Sequence, residues 1–357
     1  MITYLTLPIK PYLKKRYGTF LALGVNEFLS RCSGGKSVFA INELHSFNSL
    51  KNREQQFLYD CKAFGIEYDD LWRDVDNLDS ITGIIKNQIL TGKITETEKF
   101  VSECECGAVD ELTDNFKSIV HKRMVNKIGN KYFCKRCAGE VCIVKKRVLI
   151  KKSENEEMLA YSRIIPDGVG KEVRQLAVDH NLGEILISKK RSTGIEIEAN
   201  SNIYNIDVDY FWPLYIILLN SRNNVITTTN HEIKQVLKVL EVTNSYQGGI
   251  NACFIGLPYL LEDISEFNIE NLVEKLDNIY KKKLFLIFTI GCKGMETAFN
   301  YGMWRFLYKI SGLEAEKTYM KILEECSNIF EIEKYMNAIK TILNKELKFQ
   351  RWIHENA

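Results

Sequence analysis

Four cysteines carry the first chemistry. Cys104-Glu-Cys106 is followed after 27 residues by Cys134-Lys-Arg-Cys137. Two short-spaced thiolate pairs are what a tetrahedral Zn²⁺ takes, each pair on a tight turn that aims both sulfurs at one ion. Four thiolates close the coordination sphere, so the zinc expected here is structural and not catalytic. It would hold together an excursion that cannot bury enough core alone. Cys142 lies close enough in sequence to be a rival ligand. A fortuitous first pair remains the alternative, and a disulfide has no support, because nothing points to an oxidising compartment. The remaining cysteines, Cys32, Cys61, Cys142, Cys253, Cys292 and Cys326, read as small buried hydrophobes.

The same excursion is basic. From Lys117 to Lys152 there are twelve Lys and Arg against one acid, Glu140. Lys122, Arg123, Lys127, Lys131, Lys135, Arg136, Lys145, Lys146 and Arg147 are the candidate phosphate contacts, with Phe116, Tyr132 and Phe133 interleaved. A field of one sign favours phosphate backbones through counterion release; a solvated face is the other reading of such a run. Across all 357 residues the net charge is only +2, so any basic surface is local. No Walker A, G-x-S-x-G, His-Glu-x-x-His or G-x-G-x-x-G pattern occurs. His45, His121, His180, His231 and His354 are scattered, and Asp179-His180 is the one place where an acid directly precedes a histidine. His231 also fits the start of a helix capped by Asn230. Tyr210-Phe211-Trp212 reads as core.

The elements that must position these residues follow from periodicity. Residues 1–9 read as a short buried strand ended by Pro8 and Pro11. Residues 19–31 carry apolar positions at helical spacing, and Gly34-Gly35 stops them. Ser37 to Ile41 is a second strand. Asn52 to Phe64 is a second helix, with Phe57, Leu58, Cys61 and Phe64 on one face and Gly65 at its end. Strand, helix, strand, helix at this spacing predicts a parallel sheet with crossover helices. Residues 79–98 read as helical. Arg147 to Lys152, Ile185 to Lys189 and Gly194 to Glu198 read as strands. Asp209 to Leu219 is strongly apolar, and His231 to Leu240 is a helix. From Tyr259 to Ala357 there is no proline, and the chain is expected to be nearly all helical. The length suits two or three domains of roughly 100–200 residues. No run of about 18 apolar residues occurs, and the first residues lack the apolar core of a secretion signal. A cytoplasmic location without membrane contact is the expectation.

Three stretches in a common order resemble the glutamyl-tRNA synthetases, including their short relatives that glutamylate a modified base in tRNA. In residues 8–45 the order is strand, Arg16-Tyr17-Gly18-Thr19, helix, Gly34-Gly35-Lys36, then Val38-Phe39-Ala40-Ile41-Asn42-Glu43. This is similar to the family's HIGH-type turn, helix, Gly-Gly-Lys turn and strand ending in acids. In residues 52–74, Arg53-Glu54 and then Phe64-Gly65-Ile66-Glu67-Tyr68-Asp69 resemble the family's "helix, Leu-Gly-Leu-x-Trp-Asp" element. In residues 209–261, Asn223-Asn224-Val225-Ile226, a helix, and Phe254-Ile255-Gly256-Leu257-Pro258-Tyr259-Leu260-Leu261 are similar to its strand, helix and "HLPLIL" sequence. The resemblance covers about two thirds of the chain. It implies a class I, Rossmann-type catalytic core, ATP as cofactor and tRNA as partner. The cysteine excursion sits where that family inserts its acceptor-binding domain, and some members carry a Cys-x-Cys zinc site nearby.

The departures from the family are as informative. Arg16 and Thr19 stand where the two HIGH histidines contact ATP phosphates, and Gly18 is kept. Where the lysine-rich KMSKS-type loop belongs, the chain reads Glu262-Asp263-Ile264-Ser265-Glu266. Lys293-Gly294-Met295-Glu296-Thr297 is a poor imitation placed in an expected helix. The family's first-strand arginine for the substrate carboxylate is replaced by Thr6. The acid for the substrate ammonium becomes Asn42, with Glu43 adjacent, and a later pocket arginine aligns with Thr227. His231 lies near the same implied pocket edge. Electrostatic donors of this kind each contribute about 3–4 kcal/mol to the transition state, so losing several predicts very little standard aminoacylation.

The sequence therefore predicts an α/β fold: a class I synthetase-like Rossmann core split over 1–100 and 200–262, a zinc-bearing basic insertion over 101–199, and an all-α domain over 263–357. The expected function is a synthetase-like protein that binds tRNA, or a protein partner, without charging tRNA in the standard way. The alternatives are an ATP-dependent amino-acid- or carboxylate-activating enzyme of altered chemistry in tRNA modification or specialised biosynthesis, relying on Arg16, Gly18 and Lys36, and a purely structural subunit. DNA is not an expected partner.

Overall fold

The computed structural model describes residues 2–9, 17–44, 51–114, 116, 125–152, 163–165, 170–171, 175, 184–190, 194–219, 223–229, 251–257, 259–260, 273–290, 296–297 and 301–326. The chain opens with β1 (Thr3–Thr6), α1 (Tyr17–Ser33), β2 (Lys36–Ile41), α2 (Lys51–Ala63) and β3 (Asp70–Arg73). Then come α3 (Leu78–Leu90), β4 (Ile94–Glu103), β5 (Asp110–Leu112), β6 (Val125–Ile128), β7 (Lys131–Cys134), β8 (Cys142–Lys152), β9 (Arg163–Ile165) and β10 (Glu184–Leu186). After these follow β11 (Ile195–Ala199), β12 (Asn202–Ile206), α4 (Phe211–Leu218), β13 (Asn223–Thr229) and β14 (Asn251–Leu257). The helices α5 (Ile279–Ile290), α6 (Tyr301–Lys309) and α7 (Gly312–Glu325) complete the described chain.

Six strands form one parallel sheet in the order β3-β2-β1-β13-β14-β9. From β1 the chain winds outward through β2 and β3. It then winds the other way through β13 and β14, so the winding reverses between β1 and β13. In open α/β sheets, the crevice beyond the carboxyl ends of the strands at such a reversal is where ligands bind. Thr6 lies opposite Thr227 at that point.

Both faces of the sheet are covered, which is why its strands are apolar without strict alternation. On one face Tyr4, Phe39 and Val225 pack with Phe20, Leu21, Val25 and Phe28 of α1. The outer side of α1 is buried in turn by Leu284, Phe285 and Leu286 of α5 and Tyr319 and Ile322 of α7. Phe57, Cys61 and Phe64 of the α2 region join this core, with Phe64 stacked on Phe20 at 4.8 Å. On the other face Leu5, Val38, Ala40 and Ile226 pack with Ile81 and Ile85 of α3 and Phe211, Leu214 and Tyr215 of α4. The expected core role of Tyr210 and Phe211 holds, since both are buried.

The second sheet is antiparallel, in the order β10-β8-β4-β5. Two hairpins, β6-β7 and β11-β12, stand beside it in the chain.

Three expectations need correction. Residues 79–98 are not one helix: α3 ends at Leu90, Gly92 takes φ +72°, and β4 begins at Ile94. The segment Ile94–Glu103 is claimed by ten paired positions along β8, a tertiary partner that helical spacing does not reveal. The apolar run from Asp209 divides into a short 3₁₀ turn, Val208–Tyr210, and α4. In the region after Tyr259 the helices α5, α6 and α7 are present, but Tyr259–Leu260 pairs in parallel with Glu296–Thr297. The end of Lys293-Gly294-Met295-Glu296-Thr297 is thus extended, not helical. The helix expected over His231 to Leu240 lies outside the described residues. Within the expected insertion, β9 is hydrogen-bonded to β14 of the parallel sheet.

Candidate functional site

The cysteine cluster is built by two tight turns that end paired strands. β4 runs into Cys104, whose backbone carbonyl accepts from Gly107 N at 3.1 Å. β7 ends at Cys134, whose carbonyl accepts from Ala138 N at 2.9 Å. Ala138 sits at φ +56° and Gly107 at φ +68°, the left-handed turns that fold each pair of thiols inward. The four sulfurs of Cys104, Cys106, Cys134 and Cys137 all lie within 4.8 Å of one another. Cys104 and Cys106 sulfurs are 3.5 Å apart, and those of Cys106 and Cys134 are 3.8 Å apart. A tetrahedron of sulfurs about 2.3 Å from zinc has edges of about 3.8 Å, so the spacing fits that ion.

The surroundings favour thiolates. Val109 N donates to Cys104 Sγ at 3.3 Å, and Arg136 N donates to Cys134 Sγ at 3.4 Å. The backbone N–H groups of Gly139 and Cys106 bring the Cys137 thiol down to about 7. Burial, with the neighbouring Cys106 and Cys134 thiols, pushes Cys104 up to about 12, a cost that a cation removes by holding the thiolate. Around the sulfurs Ala108, Val109, Phe116 and Val125 form a small core of their own. Cys142 stands outside the cluster, exposed, so it is not the fourth ligand.

The basic run looks different in space than in sequence. Lys131 pairs with Glu140 at 2.8 Å, and Lys145 with Glu98 at 2.9 Å. Lys146 is held by Glu103 at 2.6 Å and Asp110 at 2.9 Å. Arg147 lies across from Glu98 in the ladder. Glu98, Glu103 and Asp110 come from β4 and β5, outside the basic stretch, while Glu140 lies within it. Among the described residues, Lys127, Arg136 and Arg147 make no ion pair; Lys127 lies 5.9 Å over the Tyr132 ring. Lys135 also stands on the cysteine turn, while Lys122 and Arg123 lie outside the described residues.

At the switch point of the parallel sheet, Thr6, Thr227 and Asn42 are all buried. Thr227 Oγ1 donates to Asn26 Oδ1 of α1 at 2.7 Å, and Tyr215 donates to the Thr6 carbonyl. Gly18 and Thr19 lie in the first turn of α1. Arg16 and His231 lie outside the described residues. Glu43, just past β2, is half-buried and belongs to a group that sequence spacing does not show. Its N–H donates to Asp74 Oδ1 at 2.8 Å, and Leu44 N donates to Asp74 Oδ2 at 3.2 Å. Arg73 binds Glu54 at 2.8 Å and approaches Glu43 at 3.6 Å. Burial, then the neighbouring Glu54, pushes the Glu43 carboxyl up to about 7. Burial resists ionisation of Glu54, but the hydrogen bonds from Arg73 and Glu43 and the Arg73 charge together hold it below the usual carboxylate range. Burial raises Asp74 to about 6. A carboxyl poised near neutrality can give or take a proton at the crevice edge.

Sequence reasoning missed Glu54, Arg73 and Asp74 as companions of Glu43. It also missed Lys189, which is buried and donates to Glu111 at 2.6 Å and to the Asp110 carbonyl at 2.6 Å. No local signal marked it, since Lys189 opens the run Lys189-Lys190-Arg191 that reads as solvated.

No family model matches the chain, and no curated protein matches it. Solved structures do. Mycobacterium tuberculosis methionyl-tRNA synthetase in complex with methionyl-adenylate superposes with a TM-score of 0.62 at 11% identity, covering 80% of this chain and 64% of that one. The apo form of the same enzyme gives 0.58 at 11% identity over 85% of this chain and 64% of that one. The chain thus spans less than two thirds of their length. The fold is that of a class I synthetase core; these neighbours are methionyl enzymes and support the class I fold, not a glutamyl family. No helix among the described residues is long and apolar enough to cross a membrane.

Proposed function

We propose that this chain is a class I synthetase-like protein that binds tRNA without charging it in the standard way. The observation that carries this reading is the winding reversal itself, whose strand ends carry no cation. Its strand ends offer Thr6, Asn42 and Thr227, neutral side chains that are fully buried. A glutamate carboxylate placed beside them would lose its water shell and gain no cation from these positions, which costs several kcal/mol (on the order of 3–5). The acidic Glu262-Asp263-Ile264-Ser265-Glu266 supports the same reading, because it would repel a triphosphate. The thiolates of Cys104, Cys106, Cys134 and Cys137 would hold a structural zinc that fixes the two turns and presents Lys127, Lys135 and Arg136 to a phosphate backbone.

Glu43 favours a second reading. Its near-neutral carboxyl at the crevice suits an ATP-dependent ligase of altered chemistry, with ATP in the crevice and another carboxylate as substrate. ATP–pyrophosphate exchange with a panel of amino acids, with and without total tRNA, separates the two. The first reading expects no exchange together with salt-sensitive tRNA binding. Exchange driven by one amino acid would overturn it and name the substrate. Neither exchange nor tRNA binding would leave the structural-subunit reading, with a protein as partner.

A further inference from the structure

One face of the antiparallel sheet is closed at one end and open at the other. Ile94 of β4 and Leu149 of β8 are buried there against Ile81, Ile85, Ile197 and Tyr204. Further along the same face the ladder brings together Glu98 opposite Arg147, Phe100 opposite Lys145, and Ser102 opposite Ile143. Phe100 is 59% exposed and Ile143 64% exposed, although both sit in paired strands. Their rings and methyls contribute little to the core.

We propose that this open face is a stacking platform for an unpaired base of RNA, with Phe100 as the stacking side chain and Lys145 and Arg147 as the backbone contacts. This rests on the reading that the protein binds tRNA, and names the surface that takes an unpaired segment of it. The flat ring of Phe100 matches the π-face that every base presents. Sheets that display an exposed aromatic in this way suit single-stranded RNA, whose bases can be splayed out. Arg147 forms no direct ion pair among the described residues, although its charge is felt by Glu96 and Glu98 on the facing strand. Lys145 is paired only with Glu98, and both of their side chains are more than half exposed. An exposed pair of this kind is worth little and exchanges readily for a phosphate. A protein partner fits the surface less well. Protein interfaces are depleted of charge at their centres, whereas Phe100 is ringed by Glu98, Lys145 and Arg147.

The test uses the full chain loaded with zinc, a tRNA, and a single-stranded RNA 12-mer carrying 2-aminopurine. The wild type is expected to bind both and to quench the reporter base. Phe100→Ala is expected to weaken binding of the 12-mer about 5- to 100-fold, with zinc content and melting temperature unchanged. Phe100→Trp is expected to restore it. Arg147→Gln is expected to lower the salt slope by about 0.7. If Phe100→Ala binds tRNA and the 12-mer as tightly as the wild type, the platform is overturned while the tRNA reading stands. If the wild type binds no RNA, both are overturned. If Phe100→Ala loses a copurifying protein and keeps its RNA affinity, the face is a protein interface and the RNA assignment is overturned.

Discussion

Two residues separate structure-holding from solvent-facing sulfur chemistry. Cys134 is buried within the sulfur cluster, while Cys142, eight positions later, is exposed and outside it. Metal analysis of the purified chain is expected to show one zinc per molecule in the wild type and in Cys142→Ala, and a large loss in Cys134→Ala. The latter is expected to melt at a lower temperature, because a structural ion's binding energy is folding energy. Glu43 makes a second prediction at this scale. Its carboxyl rises to about 7 on folding, against about 4.3 in an unfolded chain. The folded state therefore holds that proton more tightly. The stability it contributes is complete below about 4.3 and is lost as pH rises through about 7. Burial is the largest cause of that rise, Glu54 and Asp74 add to it, and Arg73 opposes it. The melting-temperature difference between Glu43→Gln and the wild type is expected to be more favourable to the variant at pH 8 than at pH 5. A difference independent of pH would refute the assignment.

At the scale of elements, turns decide where helices stop. Gly65 and Gly92 follow α2 and α3 at nearly the same backbone angle, φ +70° and φ +72°. Both adopt the left-handed conformation, which costs other residues about 1–2 kcal/mol. Their surroundings differ. A methyl added at Gly92 meets nothing within 4 Å, whereas one at Gly65 runs into Ile279 and Lys283 of the α5 region. Gly92→Ala is expected to lose only the conformational term in urea unfolding. Gly65→Ala is expected to lose at least about 1 kcal/mol more, since overpacking adds to it. Equal losses would mean that α5 shifts away freely. The same helix end shows a limit of periodicity: beyond Gly92 the alternation of Ile-Thr-Glu-Thr-Glu is a strand pattern, and only pairing with β8 makes it one.

At the scale of the whole molecule, folding redistributes charge. The basic window has almost no acid in sequence, yet β4 and β5 supply Glu98, Glu103 and Asp110 to Lys145 and Lys146. The buried ion group of Lys189 with Glu111 and Asp207 ties the antiparallel sheet to the turn before α4. The electrostatic surface left for a nucleic acid is therefore far smaller than the count of twelve cations. Titrating tRNA binding against salt is expected to give a slope of about −3 to −5, the release from a handful of phosphates. A slope near −8 or steeper would mean that tRNA strips the more buried Lys146, and not only the exposed Lys145, from its carboxylates.

What the sequence by itself determined is local and dense in signal. The strand–helix–strand–helix opening, the glycine stops, the two cysteine pairs and the class I character of the core were all legible. Each rests on residues within one turn or one element of each other, or on a repeated order along the chain. What only the tertiary structure decided depends on partners distant in sequence. Cys142 was excluded as ligand by where β8 carries it, and β4 became a strand because β8 pairs with it. Glu43 acquired Arg73 and Asp74 through the parallel pairing of β2 with β3. Phe100, an unremarked position just past the expected helix over 79–98, became an exposed ring beside Lys145. Pairing register joins residues tens of positions apart, and no local pattern of polarity encodes which strand a given strand will meet.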